Sequence, residues 1–442
     1  MKIWVPGKER EPDNQEICDM KLLCSILAVL TGSIAFAQPP AISPNLKHRF
    51  RFDEQGNFRM MQISDIQGIY PLEEPVKQLI RKGIRKYRPA LIILTGDNTN
   101  WHSERGKFEK AAAEFTGIFL EEQVPYAVTF GNHDSEKKGK AYFTRQEQYD
   151  YYKKTGGKYF VDFDIPELSG VGSGVIPLYS AKGGKPVFNL IVMDSGDYVK
   201  DRTYDGCRTD QIRWYEENAG VLPCLWFQHI IVFEVNVTNV LTRFPTCPAE
   251  YRILETEDAE KDSPEAFFSK PLGKYIRKLP EGAVWSKPLK KYLIPEKGMV
   301  WSEQDKRYLR RPPGTIWNYL INSFVKLTPG LGTGVMKERP CSPTAKTNSD
   351  AEHTYEGRTL YQSWLKKGNL KGAYFGHDHM NTFDVTDCNR IRLGYCKGAT
   401  LYSYNDGDPG FRIFNISENG KYKTETCTAS QLGIKIVKKK KK

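Results

Sequence analysis

Five short apolar runs in this chain each end in carboxylate, amide or imidazole side chains, and no other feature of the 442 residues constrains its fold as much. Residues 58–63 run into Asp65 and Gln67, and Leu91-Ile-Ile-Leu94 runs into Gly96-Asp97-Asn98. Tyr126-Ala-Val-Thr-Phe130 leads to Gly131-Asn-His-Asp134, Trp226-Phe227 to His229, and Ala373-Tyr-Phe375 to Gly376-His-Asp-His379. Short apolar runs of this kind, bounded by turn residues, read as buried strands. A basic amphipathic segment over residues 75–87 separates the first two, and a helical pattern over 107–122 separates the second from the third. Strand–helix–strand order favours parallel pairing. It gathers the polar clusters at the carboxyl ends of the strands, where open α/β sheets place their ligands. Asn189-Leu-Ile-Val-Met193 is a further strand. Asp194 and Asp197 behind it are expected to brace rim loops, and Trp214 and Tyr215 to sit in the core.

Asp65, Asp97, Asn132, His229, His377 and His379 together offer carboxylate, amide oxygen and imidazole. These donors suit borderline divalent metals such as manganese, iron and zinc. A carboxylate such as Asp97 can bridge two ions roughly 3.5–4 Å apart, the separation that clamps a phosphoryl group during in-line attack. His377 and His379, two positions apart at a strand end, can reach different ions. Each fragment alone would be an ordinary turn; their order and shared placement carry the inference.

The order Ser64-Asp-Ile-Gln67, Thr95-Gly-Asp-Asn98, Gly131-Asn-His-Asp134, a lone His229 after a strand, and Gly376-His-Asp-His379 resembles the calcineurin-like metallophosphoesterase superfamily. Gln62-Ile-Ser-Asp65, Asp194-Ser-Gly-Asp-Tyr198, Asp210-Gln-Ile-Arg-Trp-Tyr215 and the stretch 376–381 are similar to its branch related to purple acid phosphatases. The likeness covers about 58–232 and 355–415. It implies an α/β fold, a four-layer α-β-β-α sandwich with a long insertion, and two divalent or mixed-valence ions of iron, manganese or zinc. On that resemblance Asp97 bridges the ions, Asp65 and His379 hold one, and Asn132, His229 and His377 hold the other. His133 would lie over the substrate phosphate with Asp134 orienting its ring, while a metal-activated hydroxide attacks. Two departures stand out. Gln67 replaces the histidine of the usual Asp-x-His, and Asn100 supplies no tyrosinate of the purple kind. Gln67 either ligates through its carbonyl oxygen or leaves the position to water, and both weaken that ion. His102 is a lone loop histidine, expected to be exposed.

The formal charge of +12 falls to about +7 when the five lysines 438–442 are set aside. A basic body attracts anions without specifying any chemistry. From Met20 a short basic start, an apolar stretch and Ala35-Phe36-Ala37 read as an export signal cleaved after Ala37, with the polar residues 1–19 as a prefix. The apolar stretch is short for a bilayer span, so no stable transmembrane anchor is expected. Exported cysteines are expected to pair in part, with Cys388 and Cys396 as a short-range candidate. Asn236 and Asn415 head glycosylation sequons, relevant only to a eukaryotic secretory source.

These signals divide the chain into residues 1–37, a first core part over 45–245, an insertion over 246–350, a second core part over 351–430, and a Lys-rich tail over 431–442. Within the insertion Ser286–Trp301 aligns without gaps to Ser302–Trp317, and Ser269–Trp285 is a third copy with one extra residue. Its basic and aromatic residues offer a surface for a polyanion; as a local duplication, its tryptophans would instead pack on the core. The expected function is a secreted, or otherwise extracytoplasmic, metal-dependent phosphoesterase acting on phosphate monoesters or diesters. The alternative is a catalytically weak polyanion- or surface-binding descendant of the same fold, a reading that gains from Gln67. No nucleic-acid module is recognised, so a specific nucleic-acid partner is not expected.

Overall fold

The computed structural model describes residues 40–100, 105–136, 143–199, 203–237, 241–244, 246–318, 323–327, 332–338, 340–341, 351–387 and 389–436. The prefix and export signal over 1–37, His102, Cys388 and the lysines 438–442 lie outside the described residues.

Two sheets face each other. The first contains β1 (Asn57–Ile63), β2 (Leu91–Thr95), β3 (Tyr126–Thr129), β9 (Gly410–Ser417) and β10 (Tyr422–Thr428), in the order β10-β9-β1-β2-β3. The second is built on β4 (Gly174–Tyr179), β5 (Pro186–Met193), β6 (Cys224–Gln228), β7 (Leu370–Phe375) and β8 (Arg392–Tyr395), adjacent in that order, with short edge strands at 50–51, 384–386 and 332–333. β1, β2 and β3 are mutually parallel, with Met60 opposite Leu91 and Ile92 opposite Tyr126. β5, β6 and β7 are also parallel, with Ile191 opposite Trp226 and Trp226 opposite Ala373. The sequence signals therefore put their polar ends on the same edge, one set per sheet.

Strand alternation sorts the core into layers. Met60, Leu91, Ile93 and Ala127 face Leu190, Val192, Leu225, Phe227 and Tyr374 between the sheets. The opposite side chains of the first sheet, among them Met61, Ile92, Leu94 and Val128, pack under three helices: α1 (Glu74–Tyr87), α2 (Arg105–Glu121) and α3 (Arg145–Gly156). Those of the second, including Ile191, Met193, Trp226 and Phe375, pack under α4 (Thr209–Asn218) and α5 (Leu360–Lys367). The result is an α-β-β-α sandwich. α1 shows why its segment is helical: Val76, Leu79, Ile80, Gly83 and Ile84 form one buried stripe, a proline sits in the first turn, and Arg88 closes the end with left-handed backbone (φ 46°). Trp214 and Tyr215 are buried on α4, as expected. Among the described residues no helix is long and apolar enough to cross a membrane.

Residues 241–327 build a separate array. Four antiparallel hairpins, 266–277, 284–295, 300–310 and 316–327, follow one another. The preceding segment runs back along them. Residues 241–244 pair with the fourth hairpin, 247–248 with the third, 251–254 with the second, and Asp258 bridges to Ile276 of the first. Repeats of 16 residues bury little individually; this strap ties them together. Serine and tyrosine hydroxyls add a ladder, Ser269 to Tyr292 and Ser286 to Tyr308, each at 2.8 Å. The tryptophans pack edge-on against the aromatic residue of their own hairpin, Trp285 on Tyr292 at 5.0 Å and Trp301 on Tyr308 at 5.1 Å, rather than on the core of the sandwich. Cross-strand pairing places each ring opposite its partner, which keeps the contact local.

The thiols of Cys207, Cys224, Cys396 and Cys427 are free and buried. Cys207 donates to Gln228, Cys224 to the Asn369 carbonyl and Cys396 to the Gln62 carbonyl, so these three behave as separate small core residues rather than as disulfide partners.

Candidate metal centre

Each expected ligand leaves its strand within four residues of the strand's end. Asp65 follows β1, Asp97 follows β2 and Asn132 follows β3, whereas His229 follows β6 and His377 and His379 follow β7. The donors thus come from both sheets and meet across the mouth of the sandwich. The turns that deliver them are tight. Asp65, Gln67, Asp97 and His377 all have left-handed backbone, with φ of 54°, 44°, 52° and 76°. Such conformations cost a non-glycine residue about 1–3 kcal/mol and concentrate at functional sites. Gly131 is required for close approach: a Cβ there would collide with the Asp97 carboxylate and lie 2.7 Å from the His229 ring.

Two triads of donor atoms result, each lying within 4.8 Å: Asp97 with His229 and His377, and Asp65 with Asp97 and His379. Asp97 belongs to both. Asn132 joins the first group, its Oδ1 lying 3.2 Å from His229 Nε2. His229 Nδ1 donates to the Thr95 carbonyl at 2.9 Å and His379 Nδ1 to the Tyr404 carbonyl at 2.8 Å. A carbonyl can only accept, so both rings carry their proton on Nδ1 and turn Nε2 toward the cluster, the arrangement common for metal-ligating histidines. His379 also stacks on Tyr404, with ring centroids 4.1 Å apart.

The donor set fits a pair of divalent cations. Asp65 Oδ1, Asp97 Oδ2 and His377 Nε2 are buried without a well-aligned hydrogen bond; the two carboxylate oxygens face imidazole nitrogens at 3.3 Å, those of His379 and His229. Buried polar atoms are otherwise nearly always satisfied. A cation in each triad would satisfy all three. Burial, followed by the neighbouring His229, pushes the His377 ring down to about 3, so it stays neutral and able to ligate. Burial alone would raise Asp97, but the imidazoles of His229, His133 and His377 hold its carboxyl below the usual range. Asp97 in turn lifts His229 to about 9 against the effect of burial. Cation binding would displace such protons.

His133 sits beside the cluster, with Nε2 4.0 Å from Asp97 Oδ2 and its side chain 34% exposed. Its expected brace is corrected. Asp134 does not touch the ring; its carboxylate accepts the backbone N–H groups of Asn98 (3.0 Å), Thr99 (3.3 Å) and Gly131 (2.9 Å). These bonds tie the Asp97 and Asn132 loops together, while burial, then Asp97, pushes the Asp134 carboxyl up to about 7. Glu136 takes the bracing position, accepting from His133 Nδ1 at 2.7 Å. The 3₁₀ turn over His133–Ser135 puts residue 136 back under the ring. Asp194 braces the rim as expected, accepting from Arg145 and from the backbone of Val171 and Gly196.

Gln67 points its amide nitrogen, not its oxygen, at the cluster. Nε2 lies 3.3 Å from His379 Nε2, and Oε1 accepts from Asn100 Nδ2 at 3.3 Å. Three tyrosines to which the sequence reading assigns no site role also flank the cluster. Tyr198 accepts from Asn132 Nδ2 at 2.7 Å, Tyr204 meets the His377 ring edge-on at 4.3 Å, and Tyr404 backs His379.

Residues 58–236 match the family model described as calcineurin-like phosphoesterase. The chain is similar to the probable inactive purple acid phosphatase 14 of Arabidopsis thaliana, at 21% identity over 81% of this chain and 74% of the relative. It is also similar to the probable inactive purple acid phosphatase 28 of the same plant, at 27% identity over 44% of this chain and 57% of the relative. Among solved structures, a dimetal phosphatase from Danio rerio aligns with 84% of this chain and 99% of its own, at 10% identity and a TM-score of 0.40.

Proposed function

We propose that this chain hydrolyses phosphate esters at a two-cation centre formed by Asp65, Asp97, Asn132, His229, His377 and His379. The observation that carries the reading is the pair of buried triads that share Asp97. When bound, two divalent ions of iron, manganese or zinc lower the pKa of water and neutralise phosphoryl oxygens. The chain's own residues do the rest. Asp97 holds the two positions together, and its Oδ1 accepts the His133 backbone N–H at 2.9 Å, which fixes the His133 turn against the cluster. Glu136 holds His133 Nδ1, leaving Nε2 to face the phosphate and pass a proton to the leaving oxygen. Export through residues 20–37 remains part of the reading, and its substrate would be an extracytoplasmic monoester or diester.

A second reading is a weakly catalytic binding protein. It is favoured by Gln67, which offers an N–H where a ligand is expected, and by the names of the two plant relatives, which describe them as probable inactive enzymes. On this reading the hairpin array would supply the polyanion-binding surface.

Metal analysis with turnover of p-nitrophenyl phosphate and bis-p-nitrophenyl phosphate, in wild type and Asp97→Asn, decides between them. Hydrolysis predicts bound metal, turnover, and loss of at least about a hundredfold in Asp97→Asn. No turnover of either ester with manganese, iron or zinc supplied would remove the hydrolase reading and leave the binding protein.

A further inference from the structure

We propose that Gln67 makes the two cation positions unequal, one retained tightly and the other filled only when free metal is plentiful. The inference rests on the two-cation centre proposed above. The first position has four protein donors: Asp97, Asn132, His229 and His377. The second has three: Asp65, Asp97 and His379. A histidine at residue 67 would supply the missing fourth, but a carboxamide nitrogen has no lone pair available for a cation.

Gln67 also competes for a donor that is present. In the neutral ring, the form that can ligate a cation, His379 Nδ1 gives its proton to the Tyr404 carbonyl and the lone pair lies on Nε2. Gln67 Nε2–H, at 3.3 Å, points at that lone pair. A cation reaching His379 must break this contact. Rotating the amide to present its oxygen is opposed by Asn100. Its Nδ2 donates to Gln67 Oε1 at 3.3 Å and to the Gln67 carbonyl at 3.0 Å, and rotation would set two N–H groups against each other. The backbone is equally constrained: Gln67 has φ 44° and its N–H is bonded to the Asp97 carbonyl at 2.8 Å. Occupancy of the Asp65–His379 position therefore follows metal supply, and with it the competence of the whole centre.

The test is Mn²⁺ binding to the full chain by titration calorimetry and equilibrium dialysis, with paramagnetic resonance to detect spin coupling once both positions fill. Wild type should bind one equivalent tightly and a second at least about tenfold more weakly. Gln67→His should bring the two affinities together. Asn100→Ala, which frees the amide to turn its oxygen inward, should tighten only the second, and provides the same test should Gln67→His fail to fold. Two equivalents bound with one affinity in wild type would overturn the proposal. So would a folded Gln67→His, or Asn100→Ala, with the second affinity unchanged. Two unequal equivalents without ester turnover at saturating Mn²⁺ would defeat the hydrolase alone. No Mn²⁺ bound at either position would defeat both.

Discussion

His133, Asp134 and Glu136 show how far one residue's role can be read from a motif. Gly131-Asn-His-Asp134 is contiguous, so the presence of the imidazole and carboxylate was legible, and so was the seat of Asn132. Which carboxylate braces the ring was not, because that depends on the 3₁₀ turn, which carries Asp134 toward the amides of residues 98, 99 and 131 and brings Glu136 beneath Nδ1. The spacing of three between His133 and Glu136 was the available signal. The same limit applies to Tyr404, whose stacking on His379 joins residues 25 apart across a loop. The two carboxylates should separate on mutation. An asparagine at 134 keeps one acceptor and turns a donor toward the remaining N–H groups, so Asp134→Asn should lose about 1–3 kcal/mol of stability in chemical denaturation. Glu136→Gln should unfold within about 0.5 kcal/mol of wild type, since the site is half open. Its turnover of p-nitrophenyl phosphate should fall at least about tenfold, by loss of ring orientation. Equal stability losses in both variants would show that Asp134 has no special hold on the loops.

Strands and helices of the sandwich were legible because each follows from a local pattern: buried four- to eight-residue runs for β1, β2, β3 and β6, and a single apolar stripe for α1. The hairpin array was legible only in part. Three copies align by Trp, Tyr and turn glycine, but the fourth hairpin carries Phe324 in place of the tyrosine and lacks the basic pair, which hides it from sequence comparison. The strap over 241–258 shares no motif with the hairpins, because its contribution is backbone pairing. One joint between elements has a measurable pH signature. Glu216 on α4 is 6% exposed and accepts Arg358 twice at 2.8 Å, Ser363 at 2.7 Å and Lys366 at 2.6 Å, fastening α4 to α5. The Arg358 hydrogen bond first, with those of Lys366 and Ser363 against a smaller effect of burial, brings its carboxyl from 4.5 down to about 2. A carboxyl with a lower pKa when folded contributes fully above pH 4.5 and loses that contribution as pH falls toward 2. Allowing for screening of the partly exposed cations, the loss is about 1–2 kcal/mol. Glu216→Gln should be less stable than wild type at pH 7 by that amount, with the gap closing between pH 4.5 and 2 in urea titrations. A gap that does not change with pH would mean the joint acts through packing alone.

At the scale of the whole molecule, the centre is where the two sheets are fastened. Asp65, Asp97 and Asn132 come from β1, β2 and β3, and His229, His377 and His379 from β6 and β7, so each proposed cation takes donors from both sheets. The inter-sheet core is apolar and non-directional; it holds the layers together without fixing their edges. Cations at the mouth would supply that fixed point. A ligand that binds only the folded chain stabilises it by about 2.7 kcal/mol when present at a hundred times its dissociation constant. Chelation of the metal-loaded protein should therefore lower the thermal midpoint, and Mn²⁺ should restore it. The hairpin array offers a control within the same chain, because no residue of 241–327 belongs to either triad. Hydrogen exchange should show chelation loosening the carboxyl ends of β1, β2, β3, β6 and β7 while the pairs joining 251–254 to 292–295 keep their protection. Uniform loss of protection would mean that the cations stabilise the chain as one cooperative block; no loss at the strand ends, with metal shown to leave, would mean that the sandwich closes without them.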